Sequence, residues 1–551
     1  MIENSYYPLT LAKYFLTYIL LYLIGRSFYI TACYLFKINN KKTLLFVKKE
    51  LMYPIIGVAF LGNLLVVLNF GLPIDSIFTY VIIFLILSIN FFDIKLPTLN
   101  ILTPINFLYY VIVPAILIVS LSNINFHYDA GYYHLNNQNW IRNSNITFGL
   151  VNFFWAFGMS SVYEYIMAFF WFDSNFLNLH LINLVFIHWF YQFLTYSLLK
   201  SKSIFLKNAS FFILIFSILD NFGFQGGRNG FIYIEGVGKQ DMPVAILFLF
   251  ISLISLLIFQ NKIRIDYVDM LFYSFLVLFV IQIKLSASIL VFLYLLLIFQ
   301  QYKLEQSIQK IVNSQFIVFI FGLVWVLKNY ITTGCLLFPL NSSCINSFTW
   351  YLPESTRSFQ DISTQYSMNY IIGDNFMIWV SKLLEYSFYK SLLLNFSISF
   401  LVMVVLRLLF FNKSKNNKVL FFITIFYVIA NIVYLILFGP IPRYATGLLV
   451  LIVGSLAIGV REIKVTIPNF AYYILISVSI FLLIRFDSYS SLLNNNNLLI
   501  FDPREESKYI TTENGYLSPD TGDQCWVNLK CTMNRDTITI TNGKFFKTIS
   551  N

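Results

Sequence analysis

Charge is what this chain has least of: Asp, Glu, Lys and Arg make up 11% of its 551 residues, where a soluble domain carries about 25%. The remainder is 58% hydrophobic, more than a soluble protein of this length buries in cores of its own, so lipid must solvate most of it. Histidine is scarcer still, at four in the whole chain, and neither these nor the five cysteines recur at zinc-site spacings. No G-x-x-x-x-G-K, G-x-S-x-G or H-E-x-x-H string occurs, which removes the usual support for ATP-driven and hydrolase chemistry. A cleavable signal peptide is missing as well. The apolar stretch from Leu9 to about Phe36 has no basic segment before it and no small-residue cleavage site, and is expected to be a first membrane span. The net charge of +11 would suggest nucleic acid in a soluble protein, but no Arg/Lys stripe with interleaved aromatics accompanies it, so no nucleic-acid partner is expected.

What the chain does have is long apolar blocks, not the short alternating segments of an outer-membrane barrel. Helices satisfy their own backbone hydrogen bonds in hydrocarbon, so the expected fold is an all-α integral membrane protein of about 14 (12–14) transmembrane helices. The segments fall at 9–36, 51–70, 74–92, 101–122, 178–199, 209–222, 242–260, 267–283, 285–300, 314–332, 388–411, 419–438, 444–460 and 469–485, with 209–222 and 285–300 the shortest. Lys37, Lys41, Lys42, Lys48 and Lys49 share one linker. Lys200, Lys202 and Lys207 share another, and further basic groups are Lys262 with Arg264, Lys303 with Lys310, Lys413 with Lys415 and Lys418, and Arg461 with Lys464. Counting spans puts all of them on one side, which the positive-inside rule makes cytoplasmic.

Residues 1–486 then form a polytopic domain with extracytoplasmic loops 123–177, 223–241 and 333–387, followed by an extracytoplasmic tail, 487–551; the N-terminus also falls outside. The expected location is a bacterial cytoplasmic membrane, crossed many times, with the working face outward. Cys335, Cys344, Cys525 and Cys531 all lie on that outer side, where disulfides persist. Of the three pairings open to four cysteines, Cys335–Cys344 with Cys525–Cys531 is the one expected. In the tail, TITIT, Asn542–Gly543 and KFF have the alternation and turn of a β-hairpin. Aromatic-rich residues 148–172, broken by Gly158 and Ser160–Ser161, suggest interfacial helices.

The densest polar cluster is HYDAGYYHL, 127–135, where Asp129 lies between His127 and His134, with Trp140 close behind. A carboxylate at a membrane surface suits a general base or a divalent-metal ligand, and aromatic faces suit sugars or lipid headgroups; a solvated loop acid beside an aromatic belt is the plain alternative. Lys284, Lys328 and Arg443 end or interrupt apolar segments on the same outer side, where cations cost energy unless they snorkel or find an anion such as a lipid phosphate. The stretch 226–243, with Arg228, Glu235 and Asp241, reads equally as a substrate loop or a Gly-rich connector. Arg26 and Glu164 read as internal pairing or packing groups.

Several strings together, YDAGYYHLNNQNWI (128–141), FGLVN (148–152), QIKLSAS (282–288), KNYITTGCLLFPL (328–340), FGPIPRYATG (438–447) and GDQCW (522–526), resemble a family of uncharacterised bacterial multi-span membrane proteins that look like GT-C-type glycosyltransferases. The resemblance implies GT-C-like architecture and transfer of a sugar from a polyprenyl-phosphate-linked donor to a cell-envelope glycan or lipid acceptor, among membrane lipids. It implies Asp129 as the catalytic group and Lys284, Lys328 and Arg443 as groups that neutralise the leaving phosphate; from the residues themselves His134 is expected to act with Asp129, and Arg228, Asp241 and Trp140 to bind substrate. Asp129 follows about four spans rather than one, and no second acid stands beside it, so a divalent metal stays an open alternative. A polymerase or ligase of lipid-linked oligosaccharides needs the same basic groups, and a transporter or flippase of lipid-linked sugars would need polar residues at mid-membrane depth.

Overall fold

The structure is a computed structural model that describes residues 7–38, 42–92, 103–120, 126–159, 161–172, 176–219, 236–305, 308–345, 347, 350–351, 377, 381, 385, 387–410, 418–438, 442–466, 508–513, 515–533, 538–543 and 546–550. Helices dominate them. Six are long and apolar enough to cross a membrane, namely Tyr7–Leu35, Lys49–Asn69, Asn178–Lys200, Asp241–Asn261, Ile311–Thr333 and Leu392–Leu409, and shorter apolar helices include Ile204–Ser217, Tyr267–Ile283, Leu290–Leu304 and Arg443–Ser455. The chain is thus an all-α membrane protein; the segment 469–485 lies outside the described residues.

The first two helices, Tyr7–Leu35 and Lys49–Asn69, make the most intimate contact. A Cβ on Gly25 would stand 1.9 Å from the Tyr53 carbonyl oxygen, and one on Gly57 would stand 1.9 Å from that of Leu21. Small residues let backbones touch where lipid gives no hydrophobic drive to associate. Further along, Gly62 faces Val162 and Ile166, which seats the short helix Val162–Phe169 on this pair. Helix Thr446–Ser455 runs parallel to Asp241–Asn261, because Gly447 packs on Ala245 and Phe248 while Gly454 packs on Leu253.

These directions sort the loops into two ends. At one, Leu45 N–H donates to Asp269 Oδ1 at 2.7 Å, and Gln301 joins Ile263 and Ile265. Asn208 Nδ2 reaches the Val460 and Arg461 carbonyls beside the Lys207–Glu462 ion pair. The described basic groups of the linkers, from Lys37 to Lys464, belong to this end. The other end holds both disulfides, Cys335–Cys344 and Cys525–Cys531, and the tail. There strands Thr539–Asn542 and Lys547–Ser550 pair antiparallel, and Phe148 N–H donates to the Lys547 carbonyl while Ile549 N–H donates to that of Phe148. Residues 150–159 form short buried helical turns under this cover.

A polar network also lies at mid-helix depth. His188 Nδ1 is 2.6 Å from the Tyr14 hydroxyl and its Nε2 is 2.6 Å from the Tyr109 carbonyl, while Tyr18 donates to Gln192 Oε1 at 2.8 Å. A ring nitrogen facing a carbonyl must carry the proton, so Nε2 donates and Nδ1 accepts from Tyr14.

Candidate functional site

The string 127–135 folds as a helical turn that widens to a π-turn over Ala130–His134 and runs into helix Leu135–Asn143. Such turns recur at functional sites, since the extra residue re-aims the side chains on either side of it. Glycine is required at 131: a Cβ there would come within 2.2 Å of Gln524 Oε1 and 2.8 Å of the Trp526 indole. The following helix is anchored by Arg142, which donates to the Ala168 and Trp171 carbonyls and to Asp75 Oδ2.

Asp129 Oδ2 accepts from Lys239 Nζ at 2.5 Å, and His127 Nδ1 lies 3.5 Å from the same oxygen. Burial alone would raise this carboxyl, but Lys239 first, then His134 and His127, outweigh it and hold it at about 2. Burial and the Arg443 guanidinium lower the Lys239 ammonium in turn, against the pull of Asp129 and Asp241. A carboxyl held below its unfolded value contributes stability that is present above that value and lost as pH falls toward about 2. The pair is therefore expected to stay intact at pH 4: an infrared carboxylate band absent from the Asp129→Asn protein should persist there, and its disappearance by pH 4 would contradict the pairing.

Lys239 follows Gly238, whose φ is +81°; a Cβ there would stand 2.2 Å from His134 Cγ. Under that glycine His134 Nδ1 meets Glu164 Oε1 at 2.5 Å, and Glu164 also accepts from Gln138 Nε2 at 2.7 Å and Gln240 Nε2 at 3.0 Å. His134 and Glu164 are buried, so this dyad forms the floor and Asp129 the rim.

Beside them Asp241 opens helix Asp241–Asn261 and sits between Lys284 Nζ and Arg443 Nε, the latter at 3.2 Å. Lys284 lies 3.7 Å from the Tyr444 ring centroid. Because the Asp241 carboxylate and the Arg443 guanidinium both act on Lys239, the two ion clusters form one site: three cations, Lys239, Lys284 and Arg443, stand with Asp129 and Asp241 above the Glu164 carboxylate of the floor. Three hydrogen-bond-donating cations gathered at one place can meet the oxygens of an anionic ligand.

Asp129, His134, Asp241, Lys284 and Arg443 thus converge from four parts of the chain. Lys328 departs from the expected rim. It is buried, donates to Asn329 Oδ1 at 3.2 Å, and lines a water-sized cavity of about 10 Å³ with Trp140, Tyr165 and Thr332. It is held there because helix Ile308–Thr333 continues past it to Thr333 under the loop at Gly149, whose N–H donates to the Ile331 carbonyl. Trp140 goes with it, packing on Phe153 below the rim. Arg228 lies outside the described residues. A divalent cation does not fit at Asp129, whose carboxylate already holds Lys239, and no three His, Cys, Asp or Glu groups among the described residues gather to hold one. Sequence reasoning missed Lys239 as the partner of Asp129; Glu164, read as an internal pairing or packing group, pairs with His134. Tyr444, under Lys284, carried no signal beyond its place beside Arg443.

A family model described as "Domain of unknown function (DUF8201)" matches residues 9–450. No curated protein and no solved structure matches the chain.

Proposed function

Since the chain belongs to the DUF8201 family, whose function is unknown, we propose its activity from its own geometry: it is a membrane glycosyltransferase of GT-C type that transfers a sugar from a polyprenyl-phosphate-linked donor to a cell-envelope glycan or lipid acceptor. The observation that carries this reading is the convergence of Asp129 with Lys239, Lys284 and Arg443 at the end of the bundle opposite the lysine-rich loops. The positive-inside rule then makes that end extracytoplasmic, in a bacterial cytoplasmic membrane that on this reading the chain crosses about 14 times.

In the proposed reaction the acceptor hydroxyl oxygen attacks the anomeric carbon. The bond from that carbon to the phosphate oxygen breaks, and its electron pair leaves with the polyprenyl phosphate. Lys284, Arg443 and Lys239 offset the charge that develops there. The hydroxyl proton passes to Asp129. A carboxylate paired with a lysine is a weak base, so the donor phosphate has a second task. By drawing Lys239 away it restores the basicity of Asp129 when substrate is bound. His134, held by Glu164, lines the floor beneath.

The test is transfer in membranes supplied with polyprenyl-phosphate-linked sugars. Asp129→Asn keeps the size and a hydrogen-bond acceptor for Lys239 but cannot take the proton, and is expected to lose about 10²–10⁴ in rate; undiminished transfer would sink the assignment. One observation favours a second reading, transport of lipid-linked sugars: the His188 network lies at mid-helix depth. Polar groups at that depth mark substrate paths in transporters. Loss of lipid-linked sugar movement across vesicles by His188→Phe, with transfer intact, would support it.

A further inference from the structure

The tail does more than cover the site. The Trp526 backbone N–H donates to the Gly131 carbonyl at 2.8 Å, in the middle of the π-turn between Asp129 and His134. Asn136 Nδ2 donates to the Asn528 carbonyl at 2.7 Å, and Asn139 Nδ2 to that of Val527 at 2.7 Å. The Trp526 indole rests on the bare Cα of Gly131 and meets the Phe126 ring edge-on at 5.7 Å. Every one of these contacts comes from the loop closed by Cys525–Cys531, which lies beyond the family-matched residues.

We propose that the loop Cys525–Cys531 is a positioning element of the site, holding the turn Asp129–His134 in register with Lys239 and Glu164. A π-turn departs from the regular bonding of the helix that follows it, so contacts from outside the helix can fix its geometry. Here the turn carries Asp129 at its entry and His134 at its exit, and the loop grips it between the two. Asn136 and Asn139 extend the grip along the next helix, each donating its side-chain amide to a carbonyl of the loop. A tail that merely packed on the bundle would bind apolar surface; this one binds the backbone of the turn. The catalytic consequence rests on the transferase reading above, while the structural consequence does not.

The experiment uses the full chain in lipid nanodiscs, with Trp526→Ala, and with Cys525→Ala/Cys531→Ala as a second variant should the first not fold. Hydrogen exchange of residues 127–143 is expected to quicken about tenfold or more in both, while helix Asp241–Asn261 keeps its protection. The infrared carboxylate band of Asp129 should also begin to titrate at a higher pH, because the carboxylate has lost its register with Lys239. Trp526→Phe, which keeps a ring on Gly131, should restore both. Unchanged exchange at 127–143, or faster exchange with an unmoved Asp129 band, would overturn the proposal. In a transfer assay Trp526→Ala should lower kcat about a hundredfold with little change in KM. If the exchange and infrared results hold but Asp129→Asn still transfers sugar, the positioning role stands and the transferase reading falls.

Discussion

Asp241→Ala is expected to cost the folded protein about 3–5 kcal/mol, the range for removing one partner of a buried ion pair. The side chain is 3% exposed and stands between Lys284 and Arg443, with Lys239 in electrostatic reach. Its removal leaves Lys284 and Arg443, each about a quarter exposed, facing one another without the anion between them. The carboxylate also opens the first turn of helix Asp241–Asn261, the position where a negative charge meets the unsatisfied N–H groups of the helix. Asp241→Asn should fall between the wild type and the alanine variant, since it keeps an acceptor but no charge. The double variant Asp241→Ala/Lys284→Met should recover part of the loss, because it removes a stranded charge and leaves an apolar chain of similar length. Thermal unfolding in detergent, followed by tryptophan fluorescence, measures all three; a midpoint shift for Asp241→Ala no larger than for a surface substitution would mean that the two cations are solvated.

Gly57→Val should be at least as damaging, for a steric reason. The added Cβ would stand 1.9 Å from the Leu21 carbonyl oxygen, and the obstructing atom is backbone that cannot turn aside. The helices Tyr7–Leu35 and Lys49–Asn69 must separate by more than an ångström, and every contact along their shared face weakens with distance. Overpacking of a core costs about 1–3 kcal/mol when side chains can adjust, and here none can. Little folded protein is expected in membranes, measured as the fraction that stays monodisperse after extraction. Gly25→Val, which meets the Tyr53 carbonyl at the same distance, should behave alike. Normal yield from either variant would show that the helices have slack the structure does not record.

The helices were legible because lipid demands long uninterrupted apolar runs, and the basic linkers because topology is written in lysine. Helices coincide with the apolar blocks even where length falls short, as at Ile204–Leu219, which covers most of 209–222. The loop acid and the cations were legible as residue types in unfavourable surroundings. Their pairing was not. Lys239 sits two positions before Asp241 in sequence, yet it bonds Asp129, 110 residues away, while Asp241 takes Lys284 and Arg443. Nothing local distinguishes those choices, which are set by where four helix ends meet. Lys328 shows the opposite error. A lysine near the end of an apolar helix looks like one that reaches the surface, but the loop at Gly149 closes over that helix and leaves it inside. The mid-depth polar network was missed because Tyr14, Tyr18, Tyr109, His188 and Gln192 are scattered through three apolar segments, none of which looks unusual alone.

The bond from Asn152 Nδ2 to the Ile549 carbonyl joins positions 397 residues apart. A ribosome finishes the first partner long before it reaches the second. Until then Asn136, Asn139 and the Gly131 carbonyl have only water or translocation machinery to satisfy them. The membrane-embedded helices can assemble in order of synthesis, but the π-turn gains the contacts seen here only once residues 526–528 have been made. Whatever the order in which the helices pack, this turn is completed by a part of the chain made long after it.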